Sequence, residues 1–117
     1  MSNKKLKRLP LPPSRNAVSN NLVEYVINNV SNNFEGMIVW YWTASPEIYS
    51  GQIHPGFESA ERNAQKGYSK VFNGKITIQL FKPGAYMLKD KIIPPSIFYK
   101  IFIPNFGYTE LQKIELK

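Results

Sequence analysis

Asn73-Gly74 stands between two runs of strand-forming residues, and this dipeptide constrains the fold more than any other feature of the chain. An Asn-Gly pair supplies the two positive-φ positions of a type I′ turn, whose twist matches that of paired antiparallel strands. Residues 68–72 and 75–81 therefore read as the two arms of a β-hairpin. Along the second arm Ile76, Ile78 and Leu80 fall on one face, and Thr77, Gln79 and Phe81 fall on the other. Pro83-Gly84 ends it.

The rest of the chain carries the same punctuation. Residues 22–30 (LVEYVINNV) are rich in β-branched and aromatic side chains and run into Ser31-Asn32-Asn33, which is turn chemistry. Residues 37–42 (MIVWYW) form a continuous apolar run of strand length, as expected of a strand buried on both faces. Within it Trp40 and Trp42 share a face, and Tyr41 takes the opposite one. Residues 43–66 read as a loop with one or two helical turns over 58–65. Residues 97–103 form a further strand that stops at Pro104, and 109–116 form the last. There Leu111 is out of phase with Ile114 and Leu116, which predicts a bulge. Five to seven short strands without a long helix predict an all-β fold, a single antiparallel β-sandwich over residues 20–117.

Charge is unevenly placed. The net charge is +7, yet residues 1–15 hold Lys4, Lys5, Lys7, Arg8 and Arg15 and no acid, which leaves ten bases and eight acids for the remainder. Pro10, Pro12 and Pro13 disfavour helix in the same stretch. Residues 1–19 therefore read as an extended basic N-terminal arm, and the body as nearly neutral. With 43% hydrophobic residues the body can form a core. No apolar run reaches the ~18–20 residues of a membrane span, and no apolar stretch follows the basic start as in a signal peptide. The absence of cysteine removes disulfides, thiolate metal sites and cysteine nucleophiles. These features are compatible with cytoplasm or a virion.

Three segments in this order, VWYWTASPEIYSG (39–51), KGYSKVFNGKITIQLFKPGAY (66–86) and PPSIFYKI (94–101), resemble the intradiol ring-cleavage dioxygenases. The resemblance spans about residues 22–116 and implies a transthyretin-like β-sandwich. In that family two tyrosinates and two histidines hold a ferric ion, oxygen and imidazole donors suited to it. Tyr49 and Tyr86 fall at the tyrosine positions; Ser96 and Phe98 fall where the histidines belong. Two phenols with ordinary pKa values near 10 do not replace four ligands. The resemblance thus implies the architecture without the iron centre: no cofactor, no metal and no catalytic residue. Tyr49 and Tyr86 are then expected to serve packing or hydrogen bonding. His54, the one histidine, lies in a loop and reads as a surface residue. Ser96 has no candidate base to activate it.

The expected function is a non-catalytic structural or binding module. The many Asn (eleven), Ile (twelve) and Lys (twelve) residues are a bias associated with AT-rich genomes, phages and large DNA viruses among them. An accessory or decoration subunit of a large assembly, such as a phage or viral particle, ranks first. Its partners would be protein subunits engaged through Lys4, Lys5, Leu6, Lys7, Arg8, Leu9 and Leu11 of the arm, with Phe106 and Tyr108 in a late loop as further interface aromatics. The alternatives are a working iron dioxygenase, a carbohydrate-binding module using exposed aromatics, and a nucleic-acid binder using the basic arm.

Overall fold

A computed structural model describes residues 22–116. Ten strands are present among them: β1 (Val23–Ile27), β2 (Ile38–Thr43), β3 (Ile53–His54), β4 (Gln65–Phe72), β5 (Lys75–Leu80), β6 (Ala85–Leu88), β7 (Lys91–Ile93), β8 (Ser96–Ile103), β9 (Gly107–Tyr108) and β10 (Gln112–Glu115). One short helix, α1 (Phe57–Arg62), lies between β3 and β4, and a 3-10 turn covers Asn32–Phe34. The fold is all-β. A seven-stranded sheet runs β1-β5-β4-β2-β8-β10, with β9 attached to β8, and a smaller sheet runs β3-β6-β7. Every strand pairing is antiparallel except β3 with β6. The expected arm, residues 1–19, lies outside the described residues.

Asn73-Gly74 joins β4 to β5 as the sequence requires, at φ 55° and 71°. Glu35 adds a cap that the sequence did not announce. Its carboxylate accepts the Asn73 N–H at 2.7 Å and the Gly74 N–H at 3.1 Å, so the outward-pointing donors of the turn are satisfied by one side chain. Lys89 and Asp90, at φ 49° and 67°, make the same kind of two-residue turn between β6 and β7 without a glycine.

β4 has one neighbour along each edge, β2 on one side and β5 on the other. Ile38–Thr43 pairs with Lys70–Gln65, whereas Val71 and Phe72 pair with Ile76 and Lys75 of β5. β2 therefore follows β4 along most of its length, while β5 leaves the opposite edge just past the turn. Beyond the point of divergence the Gln65 side chain holds the two together: its Nε2 donates to the Phe81 carbonyl at 2.8 Å, and its Oε1 accepts the Phe81 N–H at 2.9 Å. One apolar cluster fills the space so formed. Ile27, Ile76, Ile78 and Leu80 of β1 and β5 join Val39, Ile97 and Ile101 of β2 and β8, with Val71 among them. Tyr41, Tyr99 and Ile114 close its margin.

A second, smaller cluster sits under α1, where buried Ala44, Ala60 and Tyr86 meet Trp42 and Ile93. Ser45 ties the helix down. Its N–H donates to the Ala60 carbonyl at 2.8 Å, its hydroxyl lies 2.9 Å from both the Ser59 and Ala60 carbonyls, and its oxygen accepts the Asn63 N–H at 3.0 Å.

Two expectations are corrected here. No bulge interrupts β10, whose residues pair one-to-one from Gln112↔Tyr99 to Glu115↔Ser96. Leu111 is out of phase because it precedes the strand, and it is exposed. Nor is β2 buried on both faces. Val39 and Thr43 are fully buried and Tyr41 packs on the core, but Trp40 and Trp42 are only half-buried on the other side.

Candidate functional site

The alternation in β2 turns Ile38, Trp40 and Trp42 away from the main core, and register decides what stands beside them. Trp42 is opposite Lys66 of β4 on one side and Phe98 of β8 on the other, and Phe98 is in turn opposite Lys113 of β10. Trp40 is opposite Tyr68 on one side and Lys100 on the other. Directly paired residues share a face of a sheet. The outer face of β4-β2-β8-β10 is thus a lattice of aromatic rings and lysines.

Part of this face is a groove. Trp40, Trp42, Phe57, Tyr86, Phe98 and Leu111 line an open cavity of about 300 Å³. Trp42 is its centre. Its ring stacks on Phe57 (centroids 5.8 Å apart, planes at 17°), meets Tyr86 edge-on at 6.2 Å and lies 5.7 Å from Phe98. Such offset and edge contacts hold the rings in fixed relation. The indole N–H is spent on the Glu61 carboxylate of α1 at 2.8 Å, which also receives Lys66 Nζ at 3.2 Å. The Lys66 ammonium, and after it the Trp42 indole, hold the Glu61 carboxyl below its usual range.

Beyond the groove Lys100 Nζ sits 5.1 Å from the Trp40 ring centre and 4.6 Å from that of Tyr108, which packs edge-on to Phe102 at 5.5 Å. Both rings attract the ammonium through their negative faces. Lys100 and Lys70 have no carboxylate within ion-pair distance among the described residues; Lys66 and Lys113 pair with Glu61 and Glu115.

The residues singled out in the sequence are divided by the structure. Tyr86 and Phe98 come together in the aromatic groove. Tyr49 lies in the loop between β2 and β3, half-buried and outside the groove lining. Ser96 is buried, and its hydroxyl donates to the Pro94 carbonyl at 2.7 Å. Phe106 is 88% exposed in the turn after β8, and Tyr108, expected in a loop, lies in β9 and is 46% exposed. Lys4, Lys5, Leu6, Lys7, Arg8, Leu9 and Leu11 lie outside the described residues. His54 departs from its reading as a surface residue. It is buried in β3, and its Nε2 lies 3.0 Å from the Ser45 carbonyl. A carbonyl can only accept, so Nε2 carries the proton.

These positions do not fit a ferric centre of the kind held by two tyrosinates and two histidines. Tyr86 is buried among aromatic rings, and that burial pushes its phenol up, away from the tyrosinate that iron needs. Phe98 brings an apolar ring to the same place, and the Ser96 hydroxyl is turned to a backbone carbonyl. Among the described residues no group of three or more His, Cys, Asp or Glu side chains is arranged to hold a metal ion. No helix among them is long and apolar enough to cross a membrane.

What sequence reasoning missed is the lattice itself. Trp40-x-Trp42, Lys66-x-Tyr68-x-Lys70 and Phe98-x-Lys100-x-Phe102 each show the period of two, and that signal was available. Their adjacency depends on register, which no single segment encodes.

No protein-family model, no curated protein and no solved structure matches the chain.

Proposed function

We propose that this protein is a non-catalytic binding module that works through the outer face of β4-β2-β8-β10. The observation that carries this reading is the groove of Trp40, Trp42, Phe57, Tyr86, Phe98 and Leu111, an apolar surface held open beside a core that is already filled. Soluble domains seldom leave large rings and a leucine together on a sheet face without a use for them. We read the architecture as a β-sandwich, with β1 and β5 in one layer and β2, β8 and β10 in the other. The single cluster shared by Ile76, Ile78, Val39 and Ile97 supports that reading. A place in a larger assembly, docked by residues 1–19, belongs to the same proposal and rests on the composition of that segment.

The groove can be tested with an apolar fluorophore, 1-anilinonaphthalene-8-sulfonate. Both tryptophans of the chain line it, so a dye seated there receives energy from them. The expected result is saturable, indole-sensitised dye emission from protein that keeps its near-ultraviolet circular dichroism. Leu111→Glu places a charge at an exposed position ahead of β10 and is expected to weaken the dye about tenfold, through the loss of apolar area. Folded protein without sensitised emission, or a Leu111→Glu variant that binds the dye as before, contradicts the reading.

A further inference from the structure

We propose that the outer face of β4-β2-β8-β10 binds single-stranded nucleic acid, its aromatic rings taking bases and its lysines taking phosphates. The inference rests on the reading of this face as the binding surface and names the partner. Sequence-tolerant binding of single strands needs two things at once: ring faces on which bases stack, and a positive track for the backbone. Register supplies both in alternation. One row across the strands is Lys66, Trp42, Phe98, Lys113; the next is Tyr68, Trp40, Lys100. Lys70 adds a cation two residues from Tyr68 on the same face of β4, and Tyr108 and Phe102 extend the rings beyond Lys100. Along β2 the two tryptophans are about 6.6 Å apart in backbone rise.

Three observations favour this partner over others. A saccharide also stacks on rings, but its hydroxyls need hydrogen-bond partners. Here six apolar or aromatic side chains line the groove, and the Trp42 indole N–H is already committed to Glu61. A duplex hides its base faces and is entered by a helix or ribbon in a groove, which a broad sheet face does not provide. An apolar peptide would use the groove but would leave Lys70 and Lys100, which have no carboxylate partners among the described residues, unexplained.

Lys100 gives the face a way to respond. Its ammonium now lies over Trp40 and Tyr108, at 5.1 and 4.6 Å from the ring centres. A phosphate offers that ammonium a stronger, charge-assisted bond, and its departure bares ring faces for a base. Tyr68, 67% exposed, is open without any rearrangement. The net charge of +7 adds a long-range attraction of the whole chain, five units of it from residues 1–15, which the substitutions on the face distinguish from binding there.

The test is a fluorescence titration of the full chain with a 20-nucleotide oligothymidylate, beside a 20-base-pair duplex and heparin. Both tryptophans lie on the proposed face, so stacking reports directly. The oligothymidylate is expected to quench indole emission saturably and to outcompete the duplex. Heparin is expected to bind more weakly than the oligothymidylate, with a steep salt dependence and without the quench. Tyr68→Ala, at a position off the core, should lower affinity at least about fivefold. Lys70→Ala should reduce the slope of log affinity against log salt by about 0.7. Absence of quenching by the oligothymidylate overturns the proposal. So does equal binding of all three polyanions, or binding that ignores both substitutions, because either result assigns the attraction to charge elsewhere in the chain. Sensitised dye emission from the groove together with a failed oligothymidylate titration overturns this inference alone. Failure of both removes the sheet face as a binding surface.

Discussion

Ile78→Ala is expected to cost about 2–5 kcal/mol of folding stability, the range for deleting a buried aliphatic side chain whose site cannot collapse. Ile78 is 2% exposed in the middle of β5, paired with Tyr25 of β1, and it belongs to the cluster that joins β1 and β5 to β2 and β8. Strands on both sides of the cavity are held by their own ladders, so relaxation into the void is limited. For a domain of this size the loss corresponds to a fall in melting temperature of about 10 °C or more. Thr77→Ala, one residue earlier and exposed, serves as the control and is expected to change little. Equal effects from the two substitutions would mean that β5 does not present its Ile76-Ile78-Leu80 face to a shared core.

Gly84→Val is expected to destabilise the domain by about 1–3 kcal/mol or more through overpacking. A Cβ at Gly84 would lie 2.7 Å from His54 Nε2, 3.0 Å from its Cδ2 and 3.5 Å from the Ser45 carbonyl. The imidazole cannot step aside, because it is buried and its Nε2–H is bonded to that same carbonyl. Because β3 pairs with β6 at His54↔Tyr86, the strain should pass to the floor of the aromatic groove. His54→Ala removes the ring that a valine would strike. The double variant is therefore expected to be more stable than the sum of the two single losses implies, by about 0.5–3 kcal/mol. Chemical denaturation of the four proteins measures this coupling. Strict additivity would show that the two residues do not touch.

The parts of the fold that could be read from sequence are those with local causes. Asn73-Gly74 needs no tertiary information, because positive φ at two successive positions is a property of those residues. The inward phase of Ile76, Ile78 and Leu80 follows from alternation alone. What escaped depends on distant partners. β4 begins at Gln65 and not at 68, since Gln-Lys-Gly has poor strand character and is held there by pairing with β2; Tyr41 covers the bare backbone of Gly67. β3 is two residues long and exists through its parallel pairing with β6. The Lys89-Asp90 turn carries no glycine to announce it. At the candidate site, sequence placed Trp40 and Trp42 on one face but could not say that Tyr68, Lys100 and Phe98 stand beside them. The basic excess drew attention to residues 1–15, while the lysines of the body, scattered along the chain, converge on the sheet only through register.

That convergence is the centre of the account, and the indole N–H resonances of Trp40 and Trp42 report on it most directly. They are the only two such signals the chain can give. One comes from Trp40 beneath Lys100, and the other from Trp42 bonded to Glu61. In a nitrogen–proton correlation titration of the full chain with the oligothymidylate, both signals are expected to shift and saturate together, along with the amides of Tyr68 and Lys100. Amides of β1, in the sheet's far edge strand, should stay in place. Shifts confined to residues 1–19, with both indole signals unmoved at saturation, would contradict the account.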